Sequence, residues 1–409
     1  MERWHCIRHR LGLDSCVVAS AQYTTEDGQP LTKEILFPAL RTLVEEHASL
    51  GIRLEGNETT AKIYFVQLPR VDLSSVVDFS GHDDVQEAYE SHLSRGFETQ
   101  TDVPLWRVEV LAHNVVLFAV HHAVGDGMSV LAFHLNLLRA LQNGRGHDGS
   151  PVVEIPQSRR LLPPIEHSTP VWPSFTLAGS MLYDLLAPAS WSKMRNVWTG
   201  PPSPLTPDIT TLVRILTFPP TDVAAFITAA RAHGATLTST VYVLAVCALS
   251  RLLADDPARY KQIGGTVALS LRGVAGVPDD VLCDYPSTFH ELSRATTAFS
   301  WNVAKRMAAT LQEQKRKGRE MVGMLRFLEL PGVYLSYLKG QLGGKREAGI
   351  RLSNLGRVQL QGTGGGWTMS RTMFAQCDVV TGDAFNINMT GDPTGALNVT
   401  LSWGKEAGA

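Results

Sequence analysis

The run His121-His122-Ala123-Val124-Gly125-Asp126-Gly127 places two imidazoles, a carboxylate and two glycines in seven residues. An imidazole with an unperturbed pKa of about 6.5 can take a hydroxyl proton as that hydroxyl attacks an activated acyl group such as a thioester. One positioned ring suffices. If the histidines end a strand, their side chains point to opposite faces, so one should face the reaction and the other pack. The glycines are read as permitting a sharp turn, and Asp126 as hydrogen-bonding backbone donors or pairing with a cation from elsewhere in the fold. The ordinary alternative is a packed histidine at a strand end and a turn aspartate. Histidines beside an aspartate also raise a metal site. The opposed faces and the lack of a further cysteine or histidine cluster argue against one, so no metal is expected. No G-x-S-x-G elbow occurs and no cysteine has an evident histidine partner, which favours direct attack without an acyl-enzyme.

The elements around this run are legible from periodicity. Residues 104–111 and 115–122 alternate as a hairpin turning at Ala112-His113-Asn114, so the motif sits where a buried strand ends. Residues 129–141 are leucine-rich and end at Asn143-Gly144, which gives the order strand, loop, helix. Residues 32–46 read as a helix with Thr32 as N-cap and Pro38 in its early turns, and residues 16–23 and 61–66 read as strands. Residues 166–205 form a proline- and glycine-punctuated crossover broken by an apolar stretch at 175–186. A second regular half follows, with strands at 212–218 and 266–271 and helices at 221–233 and 238–253. Residues 385–390 and 396–403, joined by Gly391-Asp392-Pro393-Thr394-Gly395, read as a hairpin. Residues 339–349 and 361–366 are glycine-rich loops without an assigned role. The expected domains are therefore 1–165, which carries the motif, a linker at 166–205, and 206–409.

A 409-residue chain with 44% apolar residues can bury a large core and sits nearer two domains than one. Its 37 basic and 39 acidic residues balance, so no global field draws in nucleic acid or an anionic membrane. The five cysteines are odd in number and without CxxC spacing, the opening residues lack the apolar stretch of a signal peptide, and no window reaches the length of a membrane span. A cytoplasmic location is expected.

The HHxxxDG run resembles the active-site motif of the acyltransferase superfamily of chloramphenicol acetyltransferase, plant BAHD enzymes and peptide-synthetase condensation domains. The likeness is closer to its fungal alcohol O-acetyltransferase branch, through Arg8-His9-Arg10-Leu11-Gly12, Glu46-His47-Ala48-Ser49-Leu50, Pro104-Leu105-Trp106-Arg107-Val108 and Ser353-Asn354-Leu355-Gly356. The BAHD motif Asp-Phe-Gly-Trp-Gly is absent, Ser402-Trp403-Gly404 being the nearest run. The resemblance implies an α/β fold of two chloramphenicol-acetyltransferase-like halves with mixed sheets and a tunnel between them. It implies His122 as the base, Asp126 as a catalytic-site carboxylate organising the loop, Gly127 as the residue allowing the turn, and a packing role for His121. It also implies an arginine pairing with Asp126, with Arg272 as candidate, and a polar loop at Ser353 and Asn354 that orients the acyl carbonyl or donates to its oxyanion.

The activity so implied is acyl-CoA-dependent O-acyl transfer, most simply acetyl transfer, to a small hydrophobic alcohol or secondary metabolite. The partners are the acyl-CoA cosubstrate and the alcohol, with no bound cofactor and a monomeric enzyme. Lys345, Arg346, Arg351 and the run Lys315-Arg316-Lys317 are candidates for holding the coenzyme phosphates. Two alternatives stay open: a carrier-protein thioester as donor for condensation or chain release, and a non-catalytic binding or scaffold protein.

Overall fold

The computed structural model describes residues 1–58, 62–144, 150–186, 193–254, 260–328, 332–360 and 366–408. Its first sheet has five strands in the order Thr368–Gln376, Cys16–Thr24, Val115–His121, Trp106–Leu111 and Val77–Asp78. The motif strand Val115–His121 lies in the middle, antiparallel to both neighbours, with His121 opposite Cys16 and Val120 opposite Trp106. A central strand is covered on both faces, which is why VVLFAVH reads as a continuous apolar run rather than an alternation. Its turn at 112–114 puts His113 and Asn114 at φ 58° and 57°, and Asn114 is held by donating to the Gln29 carbonyl at 2.9 Å.

One face of this sheet packs on the helices Lys33–Glu46 and Gly127–Asn143. Phe118 of the motif strand stacks on Phe133 of the motif helix with ring centroids 3.7 Å apart, and burying each ring contributes roughly 1.5–3 kcal/mol. The helix Lys33–Glu46 runs unbroken through Pro38, which gives up the one intrahelical bond that an N–H there would make to the Glu34 carbonyl. The opposite face is covered by the helix Val85–Leu93.

The second sheet has seven strands, six of them in the order Thr211–Phe218, Leu397–Gly404, Asp383–Gly391, Ala348–Arg357, Gln262–Ser270 and Pro286–Arg294, with Val197–Trp198 pairing beside Gln262–Ser270. Its three inner strands Asp383–Gly391, Ala348–Arg357 and Gln262–Ser270 run parallel and the outer pairs antiparallel, so the sheet is mixed. The helices Pro220–Ala232, Leu237–Leu252 and Trp301–Lys317 build the second core against it. Leu237–Leu252 starts on a reciprocal capping box between Thr236 and Ser239. The C-terminal hairpin closes through Asp392, whose Oδ1 accepts from Thr394 Oγ1 and the Ala396 amide, and through Gly395 at φ 97°.

The strand Thr368–Gln376, which the division at 206–409 places in the second half, is hydrogen-bonded into the first sheet beside Cys16–Thr24. The halves are thus laced together by the backbone. No single helix among the described residues is long and apolar enough to cross a membrane. The glycine-rich stretch at 361–365 lies outside the described residues.

Candidate active site

The motif strand ends at His121, and the chain turns over His122–Val124 before the helix Gly127–Asn143 begins. The two histidines face apart, as strand geometry requires. His121 is buried against His9 and Phe97, its Nδ1 accepts from the Ala123 amide at 3.0 Å, and burial holds its pKa well below the usual histidine value. It is a neutral ring that closes the turn.

His122 meets a different set. Its ring lies flat on that of His5, centroids 3.8 Å apart and planes within 6°, and its Nδ1 is 3.4 Å from Asp284 Oδ1. Burial pulls the His122 pKa down, but the Asp284 and Asp14 carboxylates outweigh it and the net shift is upward. The Asp284 carboxyl is wholly buried and pushed up to about 7 by that burial, with His122 pulling the other way. His5 Nε2 is 3.8 Å from the other Asp284 oxygen, and His5 Nδ1 is 3.2 Å from Asp14. Burial and the neighbouring His122 lower the His5 pKa to about 3, so His5 stays neutral.

Asp126 caps the motif helix. Its Oδ1 accepts from the Ser129 amide at 2.9 Å, and its Oδ2 accepts from Arg272 Nη1 at 2.6 Å and the Tyr285 amide at 3.4 Å. Arg272 is completely buried, and its Nη2 donates to Ser129 Oγ and to the carbonyls of Val281 and Cys283. Ser129 Oγ in turn donates to the Cys283 carbonyl at 2.7 Å and accepts from its amide at 3.0 Å. Both neighbours of Asp284 are therefore tied to the motif turn. Asp126 organises the loop through these bonds, and the carboxylate beside His122 is Asp284.

Gly125 and Gly127 require a correction. Neither has a positive φ, so neither is there to make a left-handed turn. A Cβ on Gly127 would lie 3.0 Å from Leu355 Cδ2, and one on Gly125 would lie 2.8 Å from Ser129 Cβ. Close approach to Ser129 excludes a side chain at Gly125, and at Gly127 one would crowd the end of the Leu355 side chain.

Ser353 and Asn354 lie in the strand Ala348–Arg357. Ile350 and Leu352 of that strand enter the second core, so Arg351, Ser353 and Leu355 share the other face, and Leu355 reaches Gly127. Ser353 is buried on that face. Asn354 spends its amide on Thr238 Oγ1 and the Gly356 amide rather than on the imidazole. The phosphate-binding candidates are also largely committed. Arg346 is fully buried and donates to the Val380 carbonyl, Arg351 binds Asp383 at 2.6 Å, and Lys345 donates to the Met194 carbonyl. Lys317 pairs with Glu313 on an exposed helix face.

Beside the turn opens a cavity of about 380 Å³, walled by Cys6, Ile52, Leu54, Phe65, Val124 and Leu282, with Asp284 at its edge. A second depression of the same volume, lined by Thr42, Glu45 and Arg159, contains no motif residue. Burial pushes the Cys6 thiol far above its usual range, so it is not a nucleophile.

Donor atoms of His5, His122 and Asp284 all lie within 4.8 Å of one another, which invites a metal. The ring geometry opposes it. An ion about 2.0–2.1 Å from each nitrogen must lie close to both ring planes, whereas rings stacked at 3.8 Å keep those planes apart.

His5, Asp14 and Asp284 are absent from the sequence expectations. The available signal was the spacing of His5 and His9 four apart in the helix Glu2–Arg10, which sets one against His122 and the other against His121.

A family model described as alcohol acetyltransferase matches residues 1–270. A probable alcohol acetyltransferase of Fusarium pseudograminearum is 26% identical over 389 residues, covering 85% of this chain and 76% of that protein. A second, from Aspergillus fumigatus, is 26% identical over 194 residues, 40% of this chain and 42% of that protein. Among solved structures, the trichothecene 15-O-acetyltransferase of Fusarium sporotrichioides superposes with a TM-score of 0.68 at 14% identity, over 99% of this chain and 89% of that one. The first condensation domain of the CDA synthetase superposes with a TM-score of 0.57 at 19% identity, over 97% and 87%. These likenesses establish the two-lobed fold.

Proposed function

Because this chain belongs to the alcohol acetyltransferase family, and is an acyltransferase acting on a hydroxyl, we propose that it moves an acetyl or similarly short acyl group from acyl-CoA to a small hydrophobic alcohol, with His122 as general base. The observation that carries this reading is the His122 imidazole set 3.4 Å from the buried Asp284, with Asp284 and the next two motif residues, Ala123 and Val124, lining a mainly apolar cavity of about 380 Å³. The acceptor hydroxyl gives its proton to His122 Nε2 as its oxygen bonds to the thioester carbonyl carbon. The C–S bond then breaks, and the departing sulfur takes that proton back.

The mainly apolar lining, with Ile52, Leu54, Phe65, Val124 and Leu282, supports an acceptor that is largely hydrophobic, while Glu2, Arg3 and Ser49 leave room for a few polar groups. Asp126 and Arg272 hold the turn, and Ser353 is buried on the strand face it shares with Leu355, which reaches Gly127. Cys6, a protonated thiol in the cavity wall, supports direct attack over an acyl-enzyme.

The test is thiol release from acetyl-CoA with a panel of hydrophobic alcohols, comparing wild type with His122→Ala at matched melting temperature. Alcohol-dependent release, reduced at least about 100-fold in the variant, is expected. Release only from a carrier-protein thioester would overturn the donor assignment, and full activity in the variant would overturn the base.

A further inference from the structure

Asp284 is fully buried, and among the described residues neither of its oxygens has a hydrogen-bond donor in standard geometry. The groups facing it are imidazoles: His122 Nδ1 at 3.4 Å from Oδ1 and His5 Nε2 at 3.8 Å from Oδ2. His122 Nδ1 is likewise buried without a closed partner. A carboxylate and a ring nitrogen left open toward each other, a few tenths of an ångström beyond bonding distance, are what an active site shows before substrate tightens it.

The backbone explains why Asp284 is there. Cys283 is bonded through both its amide and its carbonyl to Ser129, and the Tyr285 amide is bonded to Asp126. Asp284 sits between two anchors on the motif turn. His5, pinned through Nδ1 to Asp14, lies flat on His122 and limits the tilt of that ring, whose Nδ1 is 3.4 Å from Asp284 Oδ1.

We propose that Asp284 is the positioning carboxylate of the base, holding His122 with its proton on Nδ1 and its lone pair on Nε2 toward the acceptor, while Asp126 only builds the turn. This rests on the reading of His122 as base. When the acceptor oxygen bonds to the acyl carbon, its proton passes to Nε2 and the ring becomes a cation. The Nδ1 proton stays on Nδ1, bonded to the Asp284 carboxylate, and the Nε2 proton leaves with the thiol sulfur. No proton needs to reach Asp284. The charged groups facing the pair are Asp14 and Arg8 beside His5, Glu2 from the N-terminal helix, and Asp126 from the turn.

The experiment measures kcat, KM and the pH profile of kcat/KM for the full chain with acetyl-CoA and its best alcohol, as wild type, Asp284→Asn and His122→Ala. Asp284→Asn should lower kcat about 100-fold or more with KM changed less than about three-fold. Its residual activity should show an acid limb moved to lower pH, because the base loses the carboxylate that raises its pKa. A variant with wild-type kcat, or one slowed with an unmoved acid limb, would overturn the proposal. If His122→Ala is fully active, the base reading itself fails, which separates the two. Where Asp284→Asn does not fold, imidazole nitrogen shifts of the wild type at pH 8, assigned with His122→Gln, decide. Protonated Nδ1 and bare Nε2 are expected, and the opposite tautomer would refute the assignment.

Discussion

Replacing Arg272 with methionine should destabilise the fold through one uncompensated charge. The Arg272 side chain is wholly inaccessible and its partner Asp126 is 5% exposed, with Nη1 and Oδ2 2.6 Å apart. Removing one member of a buried pair costs about 3–5 kcal/mol, because the remaining carboxylate stays desolvated. The carbonyls of Val281 and Cys283 lose a donor in the same step. For a cooperative unit of about 200 residues, each kcal/mol moves the melting temperature by roughly 2–4 °C, so a drop of about 10 °C is expected. Asp126→Asn in the same background removes the orphaned charge, and the double variant should recover half or more of the loss. Thermal unfolding of the four proteins forms a double-mutant cycle, with an expected coupling above about 2 kcal/mol. Additive losses, or an Arg272→Met protein melting within 2 °C of wild type, would refute the account of this pair.

Two further outcomes follow, one from a buried histidine of the first core and one from the cavity wall. His134 donates from Nε2 to the Ala19 carbonyl and accepts at Nδ1 from the Tyr23 hydroxyl, and burial lowers its pKa to about 4. The unfolded ring takes its proton near pH 6.5, so the stability this site contributes is full above 6.5 and is lost as pH falls toward 4. Relative to His134→Gln, wild type should lose about 2 kcal/mol between pH 6.5 and 5, measured by urea unfolding, and a pH-independent difference would contradict it. In the cavity, Leu282→Trp should raise KM for branched or cyclic alcohols about ten-fold while leaving ethanol within about three-fold, and equal effects on both would place the acceptor elsewhere.

The motif strand, the motif helix and the C-terminal hairpin were legible because each has an undiluted period or an explicit turn. The pairing of Arg272 with Asp126 was legible only through resemblance, since nothing local links residues 146 positions apart. The helix Glu2–Arg10 was not seen, for a physical reason. The residues it buries, His5, Cys6, Ile7 and Arg8, make one full turn rather than a stripe, so its sequence looks like a charged tail and carries almost no apolar period. Asp284 was hidden differently. Leu282-Cys283-Asp284-Tyr285 has the composition of a loop, and what makes it part of the site is a set of backbone bonds to Ser129 and Asp126 that no spacing encodes. The motif glycines were misread because turn formation and close approach use the same residue. Only the contacts with Leu355 and Ser129 separate the two.

With His122 as the proposed base, the two aspartates around the turn divide one task. Asp126 faces a guanidinium and backbone donors, so its charge is matched by groups that need not change during a reaction. Among the described residues the basic side chains closest to Asp284 are the His122 and His5 imidazoles, so the balance of its charge changes whenever His122 gains or loses a proton. A fixed counter-charge builds geometry, and a titrating one stabilises a transient cation. Arg272 connects the two, since the guanidinium that neutralises Asp126 also holds the carbonyls on the chain leading to Asp284. Loosening that chain should therefore slow the reaction even at temperatures where the Arg272→Met protein remains folded. If folded Arg272→Met kept wild-type kcat, the position of Asp284 would be set by its own packing alone.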